Sequence, residues 1–142
     1  VEPPEEYRGH LQIASTRGLT MICANPDRVV HRGDKLIYCG GALADLYEQL
    51  GGRVIMAGKP YPAIYDLCLG EAFIMLRREG RALCIGDGAP TDVKGAQAAG
   101  LDCLFIYGGI HGGELRTNPA GVGRLLADHG AASAFAMPHL TW

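Results

Sequence analysis

Asp87 and Asp92 lie on a glycine-rich turn directly after the apolar run 82–85, and Lys59 follows the earlier run 53–57. Short apolar runs of this kind read as buried strands. In open α/β sheets, ligands bind outside the carboxyl ends of the strands. Two carboxylates at such an end suit a hard cation such as Mg²⁺. If the two strands are neighbours, Lys59 shares one sheet edge with Asp87, where an ammonium group neutralises carboxylates and a bound phosphate. The plainer alternative is a glycine-rich turn whose aspartates satisfy backbone N–H groups, beside a solvated loop lysine.

Two other phosphate-binding patterns fit less well. Gly86-Asp87-Gly88-Ala89-Pro90-Thr91 begins like the dinucleotide fingerprint G-x-G-x-x-G, but the sixth position is Thr91. The next strand ends at Tyr107 without the acidic residue that would hold a ribose. A P-loop is excluded, because no Gly-Lys-Ser/Thr follows the turn. No G-x-S-x-G elbow is present, so a Ser-His-Asp triad has no support.

The elements that must position these residues follow from periodicity and turn signals. A helix is expected over 1–17, with Pro3 and Pro4 in its first turn, and a strand over 19–24 stopped by Asn25-Pro26-Asp27. Residues 29–35 read as a loop and 36–39 as a short extended run. A helix over 42–50 carries Ala42, Leu43, Leu46, Tyr47 and Leu50 on its apolar face. Strands at 53–57, 81–85 and 102–107 then alternate with helices over 62–78, from Thr91 or Asp92 as cap to Gly100, and over 118–129. A last short strand is expected at 132–136. This alternation means right-handed βαβ units and a parallel sheet with helices on both faces, an α/β fold of Rossmann-like type. Tyr47, Tyr65, Phe73 and Phe105 read as core. Residues 108–113 read as a flexible glycine-rich loop, with His111 a histidine without function and approach to a substrate as the alternative. Arg28, His31 and Arg32 read as a solvated basic cluster, with an anion-holding role as the alternative.

With 142 residues, 48% hydrophobic and 20% charged, the chain can bury an ordinary globular core. A net charge of −2 gives no electrostatic case for nucleic acid or an anionic membrane. No apolar run approaches the roughly 20 residues of a membrane helix. The five cysteines are odd in number and include no C-x-x-C pair. They read as reduced core residues of a cytoplasmic protein.

Three motifs in order carry a family resemblance. Gly58-Lys59-Pro60, then Gly86-Asp87-Gly88-Ala89-Pro90-Thr91-Asp92-Val93-Lys94-Gly95-Ala96, resemble the third and fourth motifs of the haloacid dehalogenase-like (HAD) phosphatases. Ala24-Asn25-Pro26-Asp27 resembles a cap segment of the class IIA, NagD-like group. The resemblance implies a HAD-like core with part of an α/β cap, here residues 1–52 as the end of the cap and 53–142 as the C-terminal half of the core. It implies a Mg²⁺-dependent phosphatase acting on a small phosphorylated metabolite. Asp87 would be a direct Mg²⁺ ligand, and Asp92 would support the metal shell or hold Lys59. Lys59 would steady charge on the nucleophile and the phosphoryl group. Asn25 and Asp27 would lie near the substrate, where cap meets core.

The family's nucleophile comes from an Asp-X-Asp motif, and none occurs in this chain. Without it a phosphoaspartate cannot form. The expectation is therefore the second half of such an enzyme, inactive alone. The alternative is a non-catalytic fragment or interaction module that pairs through an open sheet edge, either with a second copy as a homo-oligomer or with a missing N-terminal half. A nucleotide-binding module stands as a third reading.

Overall fold

In the computed structural model, which describes residues 2–33, 35–78, 80–115 and 118–141, a 3₁₀ turn at Pro4–Tyr7 leads into helix α1 (Arg8–Thr16). Strand β1 (Thr20–Cys23) follows. Next come β2 (Val29–Arg32) and β3 (Lys35–Tyr38), an antiparallel hairpin in which Val29 faces Tyr38 and Arg32 faces Lys35. The expected loop over 29–35 is thus corrected. Val29 and Val30 are β-branched and suit a strand, and Gly33 takes the turn at φ +60°, a value that L side chains rarely adopt. Helix α2 (Gly40–Gln49) then leads to β4 (Arg53–Met56), which runs parallel to β1 with Thr20 opposite Arg53. Leu46 and Tyr47 of α2 are buried, and the Tyr47 hydroxyl donates to the Leu19 carbonyl at 2.7 Å.

These elements form one compact unit, Val1–Gly58, and Lys59–Trp142 forms a second. β4 pairs with β1 and so lies with the elements before it.

The second unit begins with helix α3 (Pro62–Leu76) and strand β5 (Leu83–Gly86). A single π-helical turn (Ala89–Val93) runs into α4 (Lys94–Ala98), then β6 (Asp102–Ile106). The short α5 (Gly112–Leu115), a 3₁₀ turn at Pro119–Gly121, α6 (Val122–Asp128) and β7 (Phe135–Met137) complete it. The three strands lie in the order β5-β6-β7, all parallel, with Leu83 opposite Asp102 and Leu104 opposite Phe135. The structure is therefore of the α/β, parallel-sheet class expected. Cys103 and Phe105, two apart on β6 and so on one face, meet Val93, Ala96, Leu115, Leu125 and Leu126 in the core.

β5 is paired on one side only: among the described residues its other edge meets no strand. Leu83 and Ile85 stay exposed there. Helix α3 is apolar along most of its length, and Phe73, Ile74, Met75 and Leu76 are exposed on it. Phe73, expected in the core, is 54% exposed. A helix with apolar residues all round does not reveal by period which face turns inward. No helix among the described residues is long and apolar enough to cross a membrane.

Candidate active site

The site is built at the carboxyl end of β5. Asp87 is the first residue beyond the strand, and the next residues wind into the π-turn instead of a capped α-helix. Neither Thr91 nor Asp92 caps a helix through its side chain. Asp92 turns back instead. Its Oδ2 accepts the Gly88 N–H at 2.9 Å, and its Oδ1 pairs with Lys59 Nζ. The Asp92 and Val93 N–H groups both donate to the Gly88 carbonyl, at 2.8 and 3.1 Å, closing the turn. Asp92 is 8% exposed, so its charge is tolerable only because both oxygens are engaged. A Cβ on Gly86 would stand 2.6 Å from Asp92 Oδ2, which makes glycine the residue that lets the carboxylate fold under the strand end.

Lys59 opens the second unit. Its peptide bond to Pro60 is cis, and its side chain is about half exposed. A groove of about 400 Å³ between α3 and β5 runs from Tyr65, Cys68 and Ile85 to Lys59 and Asp92. Asp87 is half-buried and differs from Asp92 in one respect. Its Oδ2 accepts the Ile110 N–H at 2.9 Å, whereas its Oδ1 accepts no hydrogen bond from the described residues. Gly109 makes that contact possible, because a Cβ there would come within 2.6 Å of Asp87 Cγ. His111, from the same loop, receives the Ala89 N–H on Nε2 at 3.4 Å.

The structure thus brings Lys59 and Asp92 into contact and sets Asp87 on the same turn. Among the described residues, no group of three or more His, Cys, Asp or Glu is arranged to hold a metal. The donor set still fits a cation that keeps most of its waters. Mg²⁺ is typically held by one or two carboxylates plus phosphate oxygens, and Asp87 Oδ1 is one hard donor left open.

Asn25 and Asp27 belong to the first unit. Asn25 Oδ1 accepts the Asp27 N–H at 3.2 Å, and the Asp27 carbonyl accepts the Gly41 N–H at 2.9 Å. The turn they form is packed by glycines from two other segments. A Cβ on Gly41 would stand 2.7 Å from the Pro26 carbonyl carbon, and one on Gly58 3.1 Å from that of Ala24, with closer overlaps beside each. Arg28 makes a two-pronged ion pair with Asp45, at 2.7 and 2.9 Å, so it is committed within its own unit. The side chains of His31 and Arg32 lie outside the described residues.

Two thiols lie under the site. Burial pushes the Cys103 thiol up to about 11, with Cys84 and Asp92 adding to the rise. Burial also raises Cys84, followed by the charge of Asp92. Both remain protonated at neutral pH and are poor nucleophiles. Cys68, by contrast, is exposed. Because the Cys103 value lies above the ordinary 9.0, the folded state holds its proton longer than the unfolded chain does. That stability is complete below about pH 9 and is lost as pH rises towards 11. Stability to urea is expected to fall by about 1–2 kcal/mol across that window, and Cys103→Ala should remove part of the fall. Urea midpoints measured at stepped pH test this, and a flat wild-type profile would contradict it.

The sequence favours reading His111 as a loop histidine without function, and no spacing rule assigns it a partner. Its partner is a backbone N–H 22 residues away, and only the run Gly108-Gly109-Ile110-His111-Gly112-Gly113 hinted that the chain comes close to something there.

Comparison with known proteins bears on this arrangement. A family profile described as HAD-hydrolase-like matches residues 56–133. The chain is 34% identical over 101 residues to D-glycerol 3-phosphate phosphatase of Mycobacterium tuberculosis, which is 70% of this chain and 27% of that protein. A solved haloacid dehalogenase-like hydrolase from Brucella suis is 51% identical with a TM-score of 0.61, over 78% of this chain and 42% of that one. A glycerol phosphate phosphatase from M. tuberculosis, solved in complex with magnesium, is 31% identical with a TM-score of 0.56, over 70% of this chain and 29% of that one. The chain spans less than half the length of each of these relatives.

Proposed function

The chain belongs to the HAD-like hydrolase family, and on that premise we propose that it carries the cation-binding and charge-neutralising side of a Mg²⁺-dependent phosphatase site for a small phosphorylated metabolite. The observation that carries the reading is the Lys59–Asp92 pair beside an Asp87 carboxylate with one oxygen open. Asp87 would hold the cation through Oδ1. Asp92 supports the shell by fixing the turn through the Gly88 N–H, and it holds the Lys59 ammonium group in place. Lys59 then faces the nucleophile and the phosphoryl oxygens as a fixed positive charge. Mg²⁺, when bound, neutralises and orients phosphoryl oxygens in a reaction whose catalysis is mostly positioning and electrostatics.

The nucleophile is assigned to sequence outside these 142 residues. Residues 1–52 are read as the end of a cap, with Asn25 and Asp27 near the substrate, and 53–142 as the later half of the core. A glycerol phosphate is the first substrate to try, because a relative bears that name. Free cysteines fit a reducing compartment, and the protein is read as cytoplasmic.

The experiment is phosphate release from glycerol 3-phosphate and an aryl phosphate, with and without Mg²⁺, by a full-length parent that supplies the nucleophile, with Asp87 intact or as Asp87→Asn, together with Mg²⁺ titration of each. Asp87→Asn is expected to abolish the Mg²⁺-dependent rate and the binding heat. Activity retained by that variant would refute the metal role. The open edge of β5 favours a second reading, a non-catalytic module that pairs through that edge. Self-association with neither Mg²⁺ binding nor hydrolysis would support it over the first.

A further inference from the structure

We propose that His111 is a positioning residue, through which the loop 108–113 brackets the turn Asp87–Ala89 and holds the Asp87 carboxylate with one oxygen bound and the other presented. The proposal rests on the reading of Asp87 as a cation ligand. The bracket has three points. The Ile110 N–H binds Asp87 Oδ2 at 2.9 Å. The Ala89 N–H donates to His111 Nε2 at 3.4 Å. Gly109 lies against the carboxylate at a spacing that no side chain permits.

Ala89 is fully buried, so its N–H must find an acceptor inside the protein. His111 is the acceptor, and an accepting Nε2 carries no proton, which leaves the ring proton on Nδ1. The ring is anchored in turn. Its centroid lies 6.1 Å from that of the buried Phe105 and 5.8 Å from that of His129, and the His111 carbonyl accepts the Leu115 N–H at 3.0 Å. A path of contacts therefore runs from the core through the imidazole to the turn that follows Asp87. Groups that orient a metal ligand commonly change metal affinity about 10–100-fold when removed.

A purely structural role for the ring predicts something different, so the test separates packing from hydrogen bonding. His111→Phe keeps an aromatic ring against Phe105 and His129 but offers no acceptor. His111→Gln offers an amide oxygen. Hydrogen exchange across 86–93 without Mg²⁺, and titration with MgCl₂, are measured for wild type, both variants and Gly109→Ala. The expected result is faster exchange at Ala89 and Mg²⁺ affinity lower by about 10–100-fold in His111→Phe, with recovery of both in His111→Gln. Gly109→Ala should weaken Mg²⁺ binding by the same order. A wild type that binds Mg²⁺ together with a His111→Phe that binds it equally well, with unchanged exchange, overturns the proposal alone. A wild type that binds no Mg²⁺ overturns the cation reading of Asp87. In that case exchange decides the bracket: faster exchange in His111→Phe sustains it, and unchanged exchange overturns it.

Discussion

Phe105→Ala is expected to destabilise the second unit by about 3–5 kcal/mol, the range for emptying a buried aromatic site. Phe105 is fully buried in the middle strand of the three-stranded sheet, among Val93, Leu115, Leu125 and Leu126. Its neighbours come from the π-turn, α5 and α6, so they cannot close over a cavity without moving the turn that carries Asp92. Domains of this size are commonly stable by only about 5–15 kcal/mol, so the loss would leave the unit marginal. Urea unfolding followed by circular dichroism measures it. Phe105→Leu, which keeps most of the volume, should cost less than half as much. An alanine variant with an unshifted midpoint would mean that the core is not centred on this ring.

In a full-length parent that supplies the nucleophile, Asp92→Asn is expected to lower Mg²⁺-dependent hydrolysis about 100-fold, the scale at which small misplacements of catalytic groups act. The amide keeps the shape of the carboxylate and can still accept the Gly88 N–H through its oxygen. It then presents an NH₂ group to the Lys59 ammonium, donor against donor, and Lys59 loses its anchor. The stability cost should be smaller, about 1–2 kcal/mol, because the lysine is about half exposed and water takes over its solvation. The two readouts separate the roles: kcat falls steeply while the urea midpoint moves little. A kcat within threefold of wild type would show that the ion pair holds the fold and not the reaction.

Much of this was legible in the residues. The alternation of apolar runs with helical stretches pointed to parallel strands, and Lys59, Asp87 and Asp92 announced themselves by standing at strand ends. The hairpin over 29–38 was hidden because His31, Arg32 and Lys35 break the apolar alternation by which strands are recognised, while the pairing is carried by the backbone. Phe73 was misjudged for the opposite reason. Where most positions of α3 are apolar, composition carries little direction. The role of Asp92 was half visible: its position signalled a cap, but a buried carboxylate answers to whichever donors tertiary folding brings, here Lys59 and the Gly88 N–H. The partner of His111 was not legible, because hydrogen bonds to a distant main chain leave no spacing rule behind.

The turn at Asn25-Pro26-Asp27 has a consequence for how the sequence can drift. Gly41 and Gly58, far apart along the chain, both need to lack a Cβ because each presses on the backbone of that turn. Every amino-acid change at a glycine codon adds at least that one carbon or, with proline, more. Neither position therefore has a neutral neighbour in sequence space, and no first step at one can wait for compensation at the other. Random variation should leave these two glycines intact while exposed glycines with open space around them, such as Gly9 and Gly123, accumulate substitutions freely.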